Sequence, residues 1–325
     1  MSLNLLRETL PGMGEAVGFV EQRLRSALLD ATSEAKEIFF HLLDGGGKRI
    51  RPVLTLLSAS LFTQDVSEVV PVAAAMELIH MATLVHDDVI DVADTRRGRA
   101  TINYVWGNQQ AVLAGDALLA RALCLLAEVG LLEVVRIVSR MIHGMCEGEL
   151  TQNANLGNLA QTEAEYFERI EKKTALFFSV CCQAGALVAR GPSEDVEAMG
   201  EYGRLLGLAF QVIDDVLDFT ADAEVLGKPV GSDFVSGVIT LPVIHILRQS
   251  KAQAELSLCL ASRSSVKEAI PQVLEIVREY GGVDYSLQVA QTLVSRAKER
   301  LPKSGNGDIR KALISVADMV LHRTH

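Results

Sequence analysis

Apolar residues recur at three- and four-residue spacing, or in long apolar stretches, over residues 16–43, 50–64, 69–92, 109–128, 131–152, 163–190, 194–220, 237–249, 265–280 and 283–301. That period gathers the apolar positions of each segment on one face of an α-helix, so helices are predicted along most of the chain. Few segments alternate strictly between apolar and polar residues. No Asn-Gly or Asp-Gly pair separates two alternating runs, so support for strands is poor. Pro71, Pro192, Pro229 and Pro302 stand at edges of the helical segments, where a missing N–H disturbs a helix least. The polar stretches 153–161 and 221–237 read as loops, too short and too mixed in composition for interdomain linkers. With no fixed-period repeat, the pattern predicts a single all-α domain over residues 1–325.

Composition narrows the picture. Hydrophobic residues make up 49% of the 325 and aromatic ones only 5%, so the core is expected to be built from Leu, Ala, Val and Ile. A net charge of −10 argues against a nucleic-acid partner, which would require a basic face. Cys124, Cys146, Cys181, Cys182 and Cys259 form no CxxC pair, which fits small buried apolar side chains in a reducing cytoplasm. Residues 1–10 include Arg7 and Glu8 and lack the apolar core of a signal peptide. The longest nearly apolar run, 174–189, is interrupted by Gln183 and flanked by Lys173 and Arg190. It falls short of the roughly 18 apolar residues of a membrane span, so a buried helix is expected there.

The chemistry lies in two repeated acidic clusters, Asp87-Asp88-Val89-Ile90-Asp91 and Asp214-Asp215-Val216-Leu217-Asp218. Residues four apart share a helix face, so Asp87 and Asp91 project together, as do Asp214 and Asp218. Each cluster adjoins a strongly apolar run, 76–85 or 205–213. A single such cluster reads equally well as a solvated helix end. Two of identical spacing point instead to cation binding, because clustered carboxylates repel one another and resist burial without compensation. Oxygen donors without cysteine suit a hard ion such as Mg²⁺, held by a few carboxylates plus substrate phosphates.

Basic clusters supply the matching counter-charge. Gly45-Gly46-Gly47-Lys48-Arg49-Ile50-Arg51-Pro52 sets Lys48 and Arg51 three apart behind a glycine run. Arg96-Arg97-Gly98 follows the first acidic cluster, Lys172-Lys173-Thr174 opens the apolar run at 174, and Gly227-Lys228-Pro229-Val230-Gly231 follows the second cluster. Arginine grips phosphate with a planar fork, whereas lysine acts as a point charge.

Taken in order along nearly the whole chain, GGGKRIRP, ELIHMATLVHDDVID, RRGRAT, KKTA, FQVIDDVLD, GKPVGSD and TLP resemble the motifs of the trans-isoprenyl (polyprenyl) diphosphate synthases. The resemblance implies a single large bundle of antiparallel helices around a deep central cavity, usually a homodimer, with the catalytic half of a heterodimer as the alternative. It implies isopentenyl diphosphate and an allylic diphosphate such as farnesyl diphosphate as substrates. It also implies roughly two or three Mg²⁺ ions as cofactor, with Mn²⁺ as a substitute. Motif by motif, Lys48, Arg51, His80 and Arg97 resemble contacts to isopentenyl diphosphate. Arg96, Lys173, Thr174, Gln211 and Lys228 resemble contacts to the allylic diphosphate. Asp87, Asp91 and Asp214 resemble direct metal ligands, and Asp88, Asp215 and Asp218 resemble acids acting through water or through other residues. In one departure, Val238 stands where the family usually carries a lysine.

Ala82 and Thr83, five and four residues before Asp87, occupy positions where the resemblance gives short-chain members of the family aromatic rings. Their small side chains imply a medium- to long-chain product, hexaprenyl to decaprenyl, of the kind that supplies quinone side chains.

Rival readings are weaker. Glu77 and His80 match the Glu-x-x-His spacing of di-iron bundles, but no other histidine has a glutamate three residues before it. A terpene cyclase would share acidic helices without needing Lys48, Arg51 and His80. A regulatory synthase subunit would be expected to lose the acidic motifs. His41, His86, His143, His245, His322 and His325 receive no role, and Arg323 could reach the isopentenyl diphosphate.

Overall fold

The structure is a computed structural model and describes residues 10, 12–96, 98–220, 230–261 and 265–322. They group into two compact units, the first drawn from residues 1–139, 180–200 and 301–315, the second from 140–179, 201–300 and 316–325.

The first unit begins with α1 (Met13–Leu28), α2 (Ser33–Leu43), α3 (Ile50–Ser60) and α4 (Val70–Ile90). A two-stranded antiparallel hairpin follows, β1 (Thr95–Arg96) with β2 (Arg99–Ala100), and then α5 (Ile102–Trp106) and α6 (Asn108–Val129). Helix α4 is the centre of this unit, because Val72, Ala73, Ala74, Ala75, Met76 and Leu78 have no exposed surface. It packs along α6 and also against α1 and α3. Small residues permit the close approach: a Cβ at Gly115 of α6 would lie 2.1 Å from Nε2 of His86 on α4. In the same unit, a Cβ at Gly185 would lie 2.1 Å from the Thr55 carbonyl oxygen of α3.

Two local details depart from the helical pattern. The helical segment 16–43 divides at Leu29–Thr32, where the Thr32 side chain accepts a hydrogen bond from the Ala35 N–H and caps α2. Short polar side chains compete with helix continuation in this way. The hairpin at 95–100, two residues per strand, is a small exception within the all-α class. Gly98 turns it at φ +75°, a backbone region glycine enters without steric penalty.

The second unit contains α8 (Glu163–Ile170), a π-helical turn over Glu171–Ala175, and the start of α9 (Leu176–Val188). It also holds most of α10 (Ser193–Thr220), and all of α11 (Ser232–Val235), α12 (Leu241–Leu247), α13 (Ser250–Ala261), α14 (Val266–Glu279) and α15 (Gly282–Arg300). Helix α7 (Leu132–Ala154) enters it from the first unit, and α16 (Gly307–Leu321) ends in it. Its interior is more aromatic, with Tyr166, Phe177, Phe178, Tyr202 and Phe219 fully buried. Helix α12 packs on α15 and α8, and α13 on α14. The predicted helix 237–249 starts later than expected, because Gly237 is a turn residue at φ +82°, residues 238–240 belong to no helix, and Pro242 is favoured only in the first turn of the helix that follows. The loop predicted at 221–237 contains the short α11.

The expected all-α class is borne out: the described residues are overwhelmingly helical, and that small hairpin is their one sheet. None of their helices is long and apolar enough to cross a membrane.

Candidate active site

The first acidic cluster ends α4. Asp87 is half-buried, Asp88 is buried, and Asp91 is the exposed C-cap residue. Carboxylates at a helix C-terminus oppose the helix dipole, so this placement is locally unfavourable without a compensating cation. Asp88 is partly compensated from within the chain, since its Oδ1 accepts a 2.7 Å hydrogen bond from Arg96 Nε. Burial still raises its carboxyl above the ordinary range, against the lowering pull of Arg96. After Asp91 the chain turns sharply at Val92, φ +52°, a strained conformation for a β-branched residue.

The hairpin that carries Arg96 is fastened from several sides. His41 Nε2 lies 2.8 Å from the Ala100 carbonyl oxygen, and its ring meets Trp106 edge-on at 5.1 Å. The Thr101 hydroxyl donates to the Ala93 carbonyl at 2.7 Å, and Asn103 Nδ2 to the same oxygen at 3.0 Å.

In the glycine-rich segment before α3, Arg49 stands at φ +51° with its guanidinium buried. It donates to Glu21 at 2.7 Å and to the buried Glu77 at 2.8 Å. A buried guanidinium is tolerable only when paired in this way. The pair anchors the short segment between exposed Lys48 and half-buried Arg51 to α1 and α4. It also removes the di-iron reading, because Glu77 is committed to Arg49. His80, half-buried, lies a turn further along α4. Ala82 is buried, and the half-buried Thr83 turns its hydroxyl back to the His80 carbonyl at 2.8 Å.

The second unit holds the other half of the candidate residues. Gly203, Gly207, Gln211 and Asp215 recur every four residues and therefore share one face of α10. A Cβ at Gly203 would lie 2.4 Å from the Phe178 carbonyl oxygen, and one at Gly207 2.7 Å from the Ala175 Cα. The two glycines thus bring α10 directly against the 175–178 backbone, and the next two residues make polar contacts. Thr174 Oγ1 donates to Gln211 Oε1 at 2.7 Å, Gln211 Nε2 donates to Asp215 Oδ1 at 2.9 Å, and the Tyr166 hydroxyl donates to Asp215 Oδ2 at 2.7 Å.

Asp215 is buried, and desolvation together with nearby Asp233 pushes its carboxyl up to about 7, while the bonds from Tyr166 and Gln211 pull downward. Asp218 has no exposed surface and accepts from the Ser232 hydroxyl at 3.0 Å and the Asp233 N–H at 3.2 Å. Asp214 remains half-buried. Arg278 Nη2 donates to the Phe219 carbonyl at 2.8 Å and satisfies the end of α10.

Lys173 and Thr174 sit on the π turn, a local bulge of the kind common at functional sites. Lys173 Nζ pairs with Glu149 Oε2 at 2.8 Å. Helix α8, which leads into that turn, starts with a reciprocal cap between Thr162 and Glu165, worth about 1 kcal/mol. Arg169 is buried on α8 and donates to the Ile239 carbonyl at 2.8 Å and Gln161 Oε1 at 3.1 Å. It thereby ties down the backbone beside Val238, whose own N–H bonds the Asp233 carbonyl at 2.8 Å.

Sequence reasoning missed Tyr166, Arg169, Arg49, Glu77, Ser232 and Glu149 as supporting residues. The four-residue spacing on α10 was a usable signal for the shared face, but nothing local announces the partners. Arg97, Lys228 and Arg323 lie outside the described residues.

Among the described residues no three His, Cys, Asp or Glu side chains converge into a ready-made metal cage. The donor chemistry nevertheless fits a hard divalent ion that keeps waters and shares its shell with phosphate oxygens, because Asp87, Asp91 and Asp214 are carboxylates left at least partly accessible.

Residues 32–277 match the polyprenyl synthetase family model. The chain is 38% identical to a short chain isoprenyl diphosphate synthase from Methanothermobacter thermautotrophicus, over 94% of this chain and 95% of that protein. It is 37% identical to an octaprenyl diphosphate synthase from Haemophilus influenzae, over 94% and 93% of the two chains. Among solved structures, polyprenyl synthase from Caulobacter crescentus, complexed with calcium and isoprenyl diphosphate, superposes with a TM-score of 0.89 at 34% identity, covering 96% of each chain. The chain belongs to the polyprenyl synthetase family. Its activity is that of a prenyltransferase acting on isoprenoid diphosphates.

Proposed function

We propose that residues 1–325 form one polyprenyl synthase domain that condenses isopentenyl diphosphate successively onto an allylic diphosphate, such as farnesyl diphosphate, to a hexaprenyl-to-decaprenyl product serving as a quinone side-chain precursor. Helices α7, α9, α10 and α16 each begin in one compact unit and end in the other, which supports a single domain with a central cavity. The observation that carries the mechanistic reading is the ladder Thr174–Gln211–Asp215–Tyr166. It joins the lysine-bearing π turn to the second acidic motif and leaves Asp214 more accessible than its two motif partners.

Asp87, Asp91 and Asp214 would hold Mg²⁺. The metal would supply Lewis-acid charge at the allylic diphosphate, with calcium's presence in the Caulobacter protein as the supporting analogy. Arg96, Lys173, Thr174, Gln211 and Lys228 bind and orient that diphosphate, and their positive charge and donors stabilise the charge that develops as its C–O bond breaks. Lys48, Arg51, His80 and Arg97 position isopentenyl diphosphate so that its double bond attacks the allylic carbon, replacing a bimolecular encounter with a preset geometry. The C–O bond breaks to give an allylic cation and diphosphate, the double bond of isopentenyl diphosphate attacks that cation to form the C–C bond, and the departed diphosphate takes the final proton. Asp88, Asp215 and Asp218 hold surrounding groups in place.

Ala82 and Thr83 leave room for a growing chain, and an aromatic ring at residue 82 is expected to shorten the product. A homodimer is supported by the outer face of α6, where Val112, Leu113, Ala117, Ala120 and Leu123 form an exposed apolar strip. Free cysteines throughout the described residues support a reducing, cytoplasmic setting.

The test is incubation of the pure chain with isopentenyl diphosphate, Mg²⁺ and allylic primers of increasing length, followed by product sizing. Long-chain products from the chain alone, and shorter ones from Ala82→Phe, are expected. Products no longer than geranylgeranyl diphosphate would overturn the chain-length reading, and absence of any condensation without a second protein would overturn the homodimer.

A further inference from the structure

Tyr166 is an unusual residue to find at the bottom of a charged site. Its ring is fully buried, and its hydroxyl is spent on one oxygen of Asp215 at 2.7 Å. The other Asp215 oxygen is taken by Gln211 at 2.9 Å, and Gln211 is in turn held by Thr174 at 2.7 Å. The segment 163–175 therefore reaches α10 through two tethers, Tyr166 ahead of the π turn and Thr174 on it, which flank Lys173 in the sequence. Arg169 lies between them, 5.4 Å from the Tyr166 ring centroid, and its guanidinium is itself fixed to the Ile239 carbonyl. Upstream, the Thr162–Glu165 cap sets where α8 begins, four residues ahead of Tyr166. Downstream, Gly203 and Gly207 hold α10 against 175–178 with no space for a Cβ.

In that frame the hydroxyl has a specific mechanical consequence. A buried carboxylate with both oxygens bonded has one orientation, and Asp214, its chain neighbour, inherits the helix rotation that orientation fixes. Removing the hydroxyl leaves the Asp215 Oδ2 without its shortest bond in a site too buried for bulk water to replace it. The carboxylate then has reason to turn, and the α10 turn from Gln211 to Asp215 loses one of the contacts that set it.

We propose that Tyr166 is a positioning residue for the second acidic motif: by locking Asp215 it fixes the presentation of Asp214 to a divalent cation and, through the shared segment, the register of Lys173. This rests on the synthase reading above but is separable from it. Residues that hydrogen-bond around a metal site orient its ligands without touching the reacting atoms, and losing one typically costs about 10–100-fold in metal affinity or activity.

The test is Tyr166→Phe, which removes a single oxygen, compared with the wild-type protein in two assays and a melting curve. A titration with Mn²⁺ alone, read by the electron paramagnetic resonance of the free ion, is expected to give binding weakened about tenfold. In the condensation assay the KM for Mg²⁺ is expected to rise by a similar factor, while the KM for isopentenyl diphosphate stays within about twofold. In an Asp215→Ala background, Tyr166→Phe should produce no further loss of Mn²⁺ affinity, because the acceptor is already gone. Should Tyr166→Phe give no folded protein, Gln211→Met removes the other donor to the same carboxylate and should weaken Mn²⁺ binding comparably. Unchanged Mn²⁺ affinity in folded Tyr166→Phe overturns the proposal, as does a lowered kcat at unchanged KM for Mg²⁺, or losses that add in the double variant. If the wild type fails to condense isopentenyl diphosphate, the synthase reading falls, while the Mn²⁺ comparison still decides the role of Tyr166.

Discussion

The same five-residue pattern, Asp-Asp-x-x-Asp, occurs twice in this chain and is used differently each time. At 87–91 the helix stops within the motif, so Asp91 caps α4 in the open, Asp87 is half-buried, and Asp88 is buried against Arg96. At 214–218 the helix continues to Thr220, so both Asp215 and Asp218 face the interior and become acceptors for Tyr166, Gln211, Ser232 and the Asp233 N–H. Both motifs lie at helix C-termini, where negative charge is disfavoured. The lesson is that spacing sets which carboxylates share a face, whereas helix length and neighbouring donors decide which remain available to a ligand.

That contrast can be broken at several points, beginning with the largest effect. Asp87→Ala and Asp214→Ala should each reduce condensation by about a thousandfold or more, since a lost metal contact removes several kcal/mol of charge stabilisation. Their thermal midpoints should stay near that of the wild type. Near-normal turnover in steady-state assays of either variant would contradict the division between accessible and anchoring acids.

Stability should separate the third acids of the two motifs. Asp218→Ala removes the buried acceptor of the half-buried Ser232 hydroxyl and Asp233 N–H and should lower unfolding free energy by roughly 1–3 kcal/mol. Asp91→Ala, at an exposed position, should stay within about 0.5 kcal/mol. Urea unfolding midpoints report the difference, and equal losses would erase the comparison.

A smaller effect is expected at the middle acid of the first motif. Asp88→Asn keeps the shape and removes the charge opposite Arg96. Because the Arg96 side chain is 37% exposed and can regain hydration, the loss should be about 1 kcal/mol or less. A much larger loss would mean that the first motif is as structurally committed as the second.

The smallest effect asks whether charge sensitivity in the second unit extends beyond its motif. His245 stacks on Tyr285 at 4.1 Å beside Arg248 and Glu163, and desolvation, with help from Arg248, lowers its pKa below the ordinary 6.5. The folded protein therefore prefers the neutral ring, a contribution complete above pH 6.5 and lost as pH falls through and below that value. Acidification from pH 7.5 to 5.5 should lower the melting temperature about 1–2 °C less in His245→Phe than in the wild type. Identical pH profiles by calorimetry would show that this contact does not matter.

Much of the architecture was legible before any coordinates. The 3.6-residue period placed α6, α7, α10, α14 and α15 to within a few residues, because each buries a continuous apolar face. The breaks in 16–43 and 163–190 were less visible. In the first a threonine cap competes with an otherwise uninterrupted apolar pattern, and in the second the π turn preserves that pattern while shifting the hydrogen bonds. The hairpin at 95–100 escaped because two residues per strand are too few to alternate.

By itself the sequence determined the helical class, the paired carboxylates on common helix faces and the clusters of basic residues, since these depend on residue type and spacing along one chain. Only the tertiary structure decided that Glu77 serves Arg49, that Lys173 is held by Glu149, and that Asp215 is locked by Tyr166, a residue 49 positions away. The reason is physical. A carboxylate's role depends on desolvation and on which donors surround it, and those donors arrive from segments that sequence proximity does not connect.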